Sequence, residues 1–104
     1  MNKVIAVDFD GTLVKHAFPE IGETNYRVVA WVKKRQKLGD RIILCTCRDG
    51  KELQEAVDHC EFLNIKLDAV NENIPELMNR GFAKRKVCAD IYLDDKAMNV
   101  DELA

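Results

Sequence analysis

Long apolar runs are missing from this chain of 104 residues, and so is any strong excess of charge. No stretch approaches the roughly 20 apolar residues that a membrane-spanning helix needs. The N-terminus, MNKVIAVDFD, lacks the charged, apolar and cleavage regions of a secretory leader. A cytoplasmic protein with no membrane partner is therefore expected. A net charge of −2 gives no electrostatic footprint for non-specific nucleic-acid binding, although Lys84, Arg85 and Lys86 form a local basic run. Only two prolines and five glycines interrupt the chain, and no repeat or low-complexity tract divides it. One domain over residues 1–104 is expected, because ~100 residues enclose one core and not two.

Further absences narrow the chemistry. Cys45, Cys47, Cys60 and Cys88 show no CxxC spacing, which argues against both a zinc site and a disulfide framework. They lie in apolar segments and read as small core residues of a reduced protein. A cysteine phosphatase needs C-x5-R, but the arginine positions counted from Cys45 and Cys47 hold Lys51 and Leu53. The absence of GxxxxGK excludes a P-loop nucleotide binder.

What is present alternates. Val4–Val7, Arg41–Cys45, Leu67–Val70 and Val87–Leu93 are short apolar runs without strict period-two patterning, as suits strands of a parallel sheet covered on both faces. Thr24 is placed to cap a helix over Asn25–Leu38, with Val28, Trp31, Val32 and Leu38 on one stripe and Gly39 as its stop. Arg35 falls on that stripe too, its stem expected along apolar surface and its head in water. Asp49 is placed to cap Gly50–Leu63, with Leu53, Val57, Cys60 and either Phe62 or Leu63 inward. A third helix is expected from Pro75 to before Gly81. This order predicts an α/β, Rossmann-like three-layer sandwich with a mostly parallel sheet of about four strands.

In such sheets ligands bind beyond the carboxyl ends of the strands. Those ends read Asp8-Phe9-Asp10-Gly11-Thr12, Thr46-Cys47-Arg48, Asn71-Glu72-Asn73 and Asp94-Asp95. Four aspartates, a threonine and an arginine thus point to one rim. Lys84 or Lys86 could join them only if the chain up to about Asp90 runs irregularly. At an effective dielectric of ~20, two unit charges ~4 Å apart repel by about 4 kcal/mol. A hard divalent cation such as Mg²⁺ removes that penalty, and Thr46 and a lysine would be idle unless a phosphate shared the site. Arg48 could grip a second phosphate or a carboxylate, since its fork suits either. Thr12 and Gly11 are expected to shape the turn, and His16 reads more simply as a loop histidine than as an acid or base.

VDFDGT, a strand ending in Thr46, a later lysine and a strand ending in Asp94-Asp95 resemble, in order, the four motifs of the haloacid dehalogenase-like phosphohydrolases. The strings KHAFPEIG and YLDD are similar to small capless bacterial and phage members. The resemblance implies a capless core with strand order 3-2-1-4 and a Mg²⁺-dependent phosphatase working through an aspartyl phosphate. Asp8 would be the nucleophile and Asp10 the general acid and base. Asp8, Asp94 and the Asp10 carbonyl would bind the metal, with Asp95 as a ligand or holding a water. Thr46 would bind the phosphoryl group. Lys86, favoured over Lys84 by its spacing to Asp94, would neutralise it.

Two rivals stand beside this. A receiver-like phosphoacceptor domain groups similar residues, but its phosphorylated aspartate lies on the third strand, where this chain has Asn71-Glu72-Asn73. A degenerate metal- and phosphate-binding module would keep the site and lose turnover. Without a cap the substrate could be a macromolecule, with Lys15–Glu23 as a mobile flap. The chain stops soon after Asp95, so a sheet edge is expected that a second copy could cover.

Overall fold

The structure, a computed structural model, describes residues 2–72 and 89–93. Strand β1 (Val4–Asp8) leads to helix α1 (Tyr26–Lys37), strand β2 (Arg41–Cys45), helix α2 (Gly50–Phe62), strand β3 (Ala69–Val70) and strand β4 (Ile91–Leu93). The four strands form one parallel sheet in the order β3-β2-β1-β4. The expected α/β fold and strand order are therefore observed. The helix expected from Pro75 lies outside the described residues.

Alternate strand residues Ile5, Val7, Ile42, Leu44 and Leu93 join Val28, Val29 and Val32 of α1 and Ala56 and Cys60 of α2 in one buried cluster. Ala6 and Ile43, on the opposite sheet face, are buried as well, which is why these strands lack alternation. Each aliphatic side chain so enclosed contributes about 1.5–3 kcal/mol of transfer free energy.

Several element edges differ from expectation for identifiable reasons. Asn25, not Thr24, caps α1, its Oδ1 accepting from the Val28 amide at 3.4 Å. The Thr24 hydroxyl is 3.0 Å from His59 Nε2 instead. Leu38 is 62% exposed, so the inward stripe of α1 ends before it; at the end of α2 Phe62 is 77% exposed and Leu63 is the residue that turns in. Asp49 occupies the N-cap of α2 but makes no side-chain capping bond. The Arg35 side chain keeps 26% of its surface in water, but its Nε turns in to lie 2.6 Å from the Oδ2 of buried Asp40.

Two aspartates trim the outer strands. Asp68 accepts from the Ile42 amide at 2.8 Å, and Asp90 from the Val4 amide at 2.7 Å. A carboxylate thus takes each N–H at the start of the ladder, and regular pairing begins only at Ala69 and Ile91. Together with Asp40, which accepts from the Lys3 amide at 2.8 Å, these acids serve the amino-terminal rim.

Candidate active site at the carboxyl rim of the sheet

The parallel register brings the strand ends level. Asp8 pairs with Cys45, Leu44 with Val70, and Val7 with Leu93. Beyond β1 the chain folds into a tight turn. The Phe9 carbonyl accepts from the amides of Thr12, Leu13 and Val14 at 3.2, 3.0 and 3.2 Å, and the Gly11 amide donates to the Val14 carbonyl at 2.8 Å. Gly11 has φ of +90°, a conformation that costs a side chain dearly and glycine little. Thr12 is fully buried beneath it, as a turn-shaping residue should be. Asp10 therefore reaches the rim from this turn, beyond the end of β1 at Asp8. One Asp8 oxygen accepts from the Phe9 amide at 3.0 Å.

Arg48 is the best-anchored side chain of the site. Its Nε donates to Asp10 Oδ2 at 2.7 Å, and its Nη2 donates to Asp10 Oδ1 at 2.8 Å and to the Glu20 carbonyl at 2.8 Å. Its Nη1 donates to the carbonyls of Pro19 at 3.2 Å and Glu52 at 3.4 Å. A guanidinium has five N–H groups, so all are engaged. The rings of Phe9 and Phe18 each lie 5.1 Å from its central carbon. Hydrogen bonding to Asp10 raises the guanidinium pKa against the opposing effect of burial. A grip on a second phosphate or carboxylate, expected from the sequence, does not fit this arrangement, since no donor is left over.

Thr46 begins the next loop. Its hydroxyl accepts from the Arg48 amide at 3.1 Å, leaving its own O–H to donate, and its amide donates to Asn71 Oδ1 at 2.8 Å. Asn71 thus supports the Thr46 backbone from the end of β3, a role its polarity alone did not announce. Asp8, Asp10, Thr46, Cys47 and Arg48 share a cleft of about 440 Å³ with His16 and Phe18. No spacing in the sequence marks His16 or Phe18 as a wall of the site; the intervening loop carries them there. Cys47 is exposed and not a core residue, whereas Cys60 is buried. Burial, and then the Asp8 charge, raise the Cys45 thiol pKa.

The Lys15–Glu23 loop is tied down. The Lys15 amide donates to the Glu23 carbonyl at 2.8 Å, Val14 bridges to Thr24, and Arg48 holds the carbonyls of Pro19 and Glu20. This segment is expected to be a mobile flap, but its hydrogen bonds are those of a fixed wall. Behind it lies a cavity of about 670 Å³, whose walls carry Glu20, Glu52, Glu55 and Asp58 against one lysine, Lys51. An acidic recess of that kind repels phosphate.

Lys86, its alternative Lys84, Asp94 and Asp95 lie outside the described residues. Among the described residues no group of three or more His, Cys, Asp or Glu is placed to hold a metal ion. The donors in view nonetheless suit magnesium, which takes one or two carboxylates and fills its shell with water and phosphate oxygens. Asp8 offers a hard carboxylate. Arg48 takes one lone pair on each Asp10 oxygen and holds that carboxylate away from the role of metal ligand, so the residue's backbone carbonyl is the donor it would offer an ion. Among the described residues no helix is long and apolar enough to cross a membrane.

No family model and no curated protein matches the chain. Among solved structures it is similar to a conserved protein from Bacteroides thetaiotaomicron, with 40% identity and a TM-score of 0.81. The match covers 92% of this chain and 78% of that one. Identity at that level over nearly the whole fold reflects common descent, and the chain belongs to the same family as that conserved Bacteroides protein.

Proposed function

We propose that the protein is a magnesium-dependent phosphatase of the haloacid dehalogenase-like type, acting on phosphate monoesters through an aspartyl phosphate on Asp8. The observation that carries this reading is the convergence of Asp8, Asp10 and Thr46 in one cleft at the carboxyl rim of the sheet. Asp8 and the Asp10 carbonyl, with Asp94 and Asp95 from the residues after β4, would hold the ion. Bound there, magnesium supplies electrostatic relief for charge on the phosphoryl oxygens.

The residues divide the work in two steps. An Asp8 oxygen forms a bond to phosphorus as the bond to the ester oxygen breaks, and Asp10 gives that oxygen a proton. A water then attacks phosphorus and yields its proton to Asp10. The Asp8–phosphorus bond breaks, releasing inorganic phosphate. Thr46, through its uncommitted O–H, donates to a phosphoryl oxygen, and Lys86 balances the charge. An uncapped cleft suits phosphorylated groups on large substrates as well as small esters.

Hydrolysis of p-nitrophenyl phosphate with and without magnesium tests the reading. Wild-type turnover that requires the metal and is lost in Asp8→Asn supports it. A specific feature favours the rival, a binding module without turnover: Arg48 engages both oxygens of Asp10. That reading is upheld if magnesium and phosphate bind but no ester is cleaved.

A further inference from the structure

Arg48 is a costly way to fill a core. A guanidinium taken out of water must recover its hydration through hydrogen bonds, and truncating one partner of such a pair is strongly destabilising. Its bonds join three parts of the chain at one side chain. One side of the fork is the Asp10 carboxylate; the other donors reach the Pro19 and Glu20 carbonyls in the loop and the Glu52 carbonyl in α2. Phe18, from the same loop, and Phe9 each bring a ring to within 5.1 Å of the central carbon of the guanidinium.

We propose that Arg48 is a positioning residue, a knot that aims the Asp10 carboxylate into the cleft and locks the Lys15–Glu23 loop to the same anchor. A fork-to-fork pair fixes the plane of the carboxylate as well as its place, which a single hydrogen bond does not. Each Asp10 oxygen uses one lone pair on the fork and keeps another for a proton. The loop and the proton-transfer group are then set by one side chain, and neither shifts without the other. The aiming half of this inference rests on the phosphatase reading; the locking half does not.

Arg48→Lys keeps the charge and loses the fork. An alkyl phosphate needs a proton on its leaving oxygen, whereas p-nitrophenolate leaves without one. A misaimed Asp10 should cost about 100-fold in kcat on the alkyl ester, within the span of general acid catalysis, but under about tenfold on p-nitrophenyl phosphate. KM should stay within about threefold for both. Equal losses on the two esters would reduce Arg48 to a packing residue, and a raised KM with kcat kept would make it a substrate contact. Either result overturns the aiming role.

Amide hydrogen exchange supplies the second arm and needs no activity. The Lys15 and Glu20 amides, bonded to Glu23 and Ala17, should exchange at least about tenfold faster in Arg48→Lys. If that variant does not fold, Asp10→Asn, of the same shape, carries the measurement. Unchanged exchange defeats the locking role. A wild type without turnover on any ester defeats the aiming role together with the phosphatase reading, while exchange still decides the loop.

Discussion

Arg35 and Asp40 face each other across the turn between α1 and β2, with Nε and Oδ2 2.6 Å apart and the Asp40 side chain 3% exposed. The guanidinium also lies 5.7 Å from the centre of the Trp31 ring, and the second Asp40 oxygen holds the Lys3 amide. Asp40→Ala should therefore lower stability by about 2 kcal/mol, since the Lys3 N–H and the Arg35 charge both lose their partner. Urea unfolding beside Lys34→Ala, an exposed change on the same helix, measures it. Equal midpoints for the two variants would contradict the pairing.

Acid should weaken the fold through His59. Burial lowers its pKa in the folded state, so the unfolded chain binds the proton more readily. Stability from the neutral ring is present above the unfolded value of about 6.5 and is lost as pH falls below it. The melting temperature should drop between about pH 7 and pH 5 by more in wild type than in His59→Gln. Parallel curves for the two proteins would remove this contribution.

The thiols should differ in reactivity. Cys47 is exposed, Cys45 is half-buried with its pKa raised, and Cys60 is buried with its pKa pushed up to about 11. Since the thiolate is the nucleophile, alkylation should proceed at Cys47 first, then Cys45, then Cys60. Mass spectrometry of peptides after timed iodoacetamide treatment reads the order. Cys60 modified as fast as Cys47 would contradict the burial.

Gly22 should resist substitution. A Cβ there would collide with the Lys15 carbonyl. Gly22→Ala must push the two sides of the loop apart, at a cost of about 1–3 kcal/mol. The Tm should fall, and the Lys15 amide, bonded to the neighbouring Glu23 carbonyl, should lose protection from exchange. An unchanged Tm would mean that the loop base is looser than its hydrogen bonds indicate.

Much of the fold could be read from the residues because burial leaves a periodic record. Arg41–Cys45 coincides with the expected strand, and both helices lie within a residue or two of their expected ends. Regular pairing starts only at Ala69 and Ile91 because Asp68 and Asp90 substitute side-chain oxygens for ladder carbonyls, a choice made in three dimensions. The same holds at the site. Asp8 and Thr46 are legible as strand-end residues, but an arginine beside them carries no mark saying whether it faces a ligand or another residue. Arg48 is decided by carbonyls of Pro19, Glu20 and Glu52, which no side-chain pattern advertises. Phe18 and His16 enter the cleft only because their loop returns to Val14.

Val14 bridges to Asp10 on one side and to Thr24 on the other. The intervening loop thus departs and comes back at a single buried residue, and its span is already closed by backbone pairing. Closure entropy grows only with the logarithm of length, so doubling such a loop costs about 0.6 kcal/mol. The wall of the cleft can consequently be lengthened where Arg48 does not hold it: residues added beside His16, with Phe18, Pro19 and Glu20 kept on the guanidinium, would change what the rim admits without asking the sheet to refold.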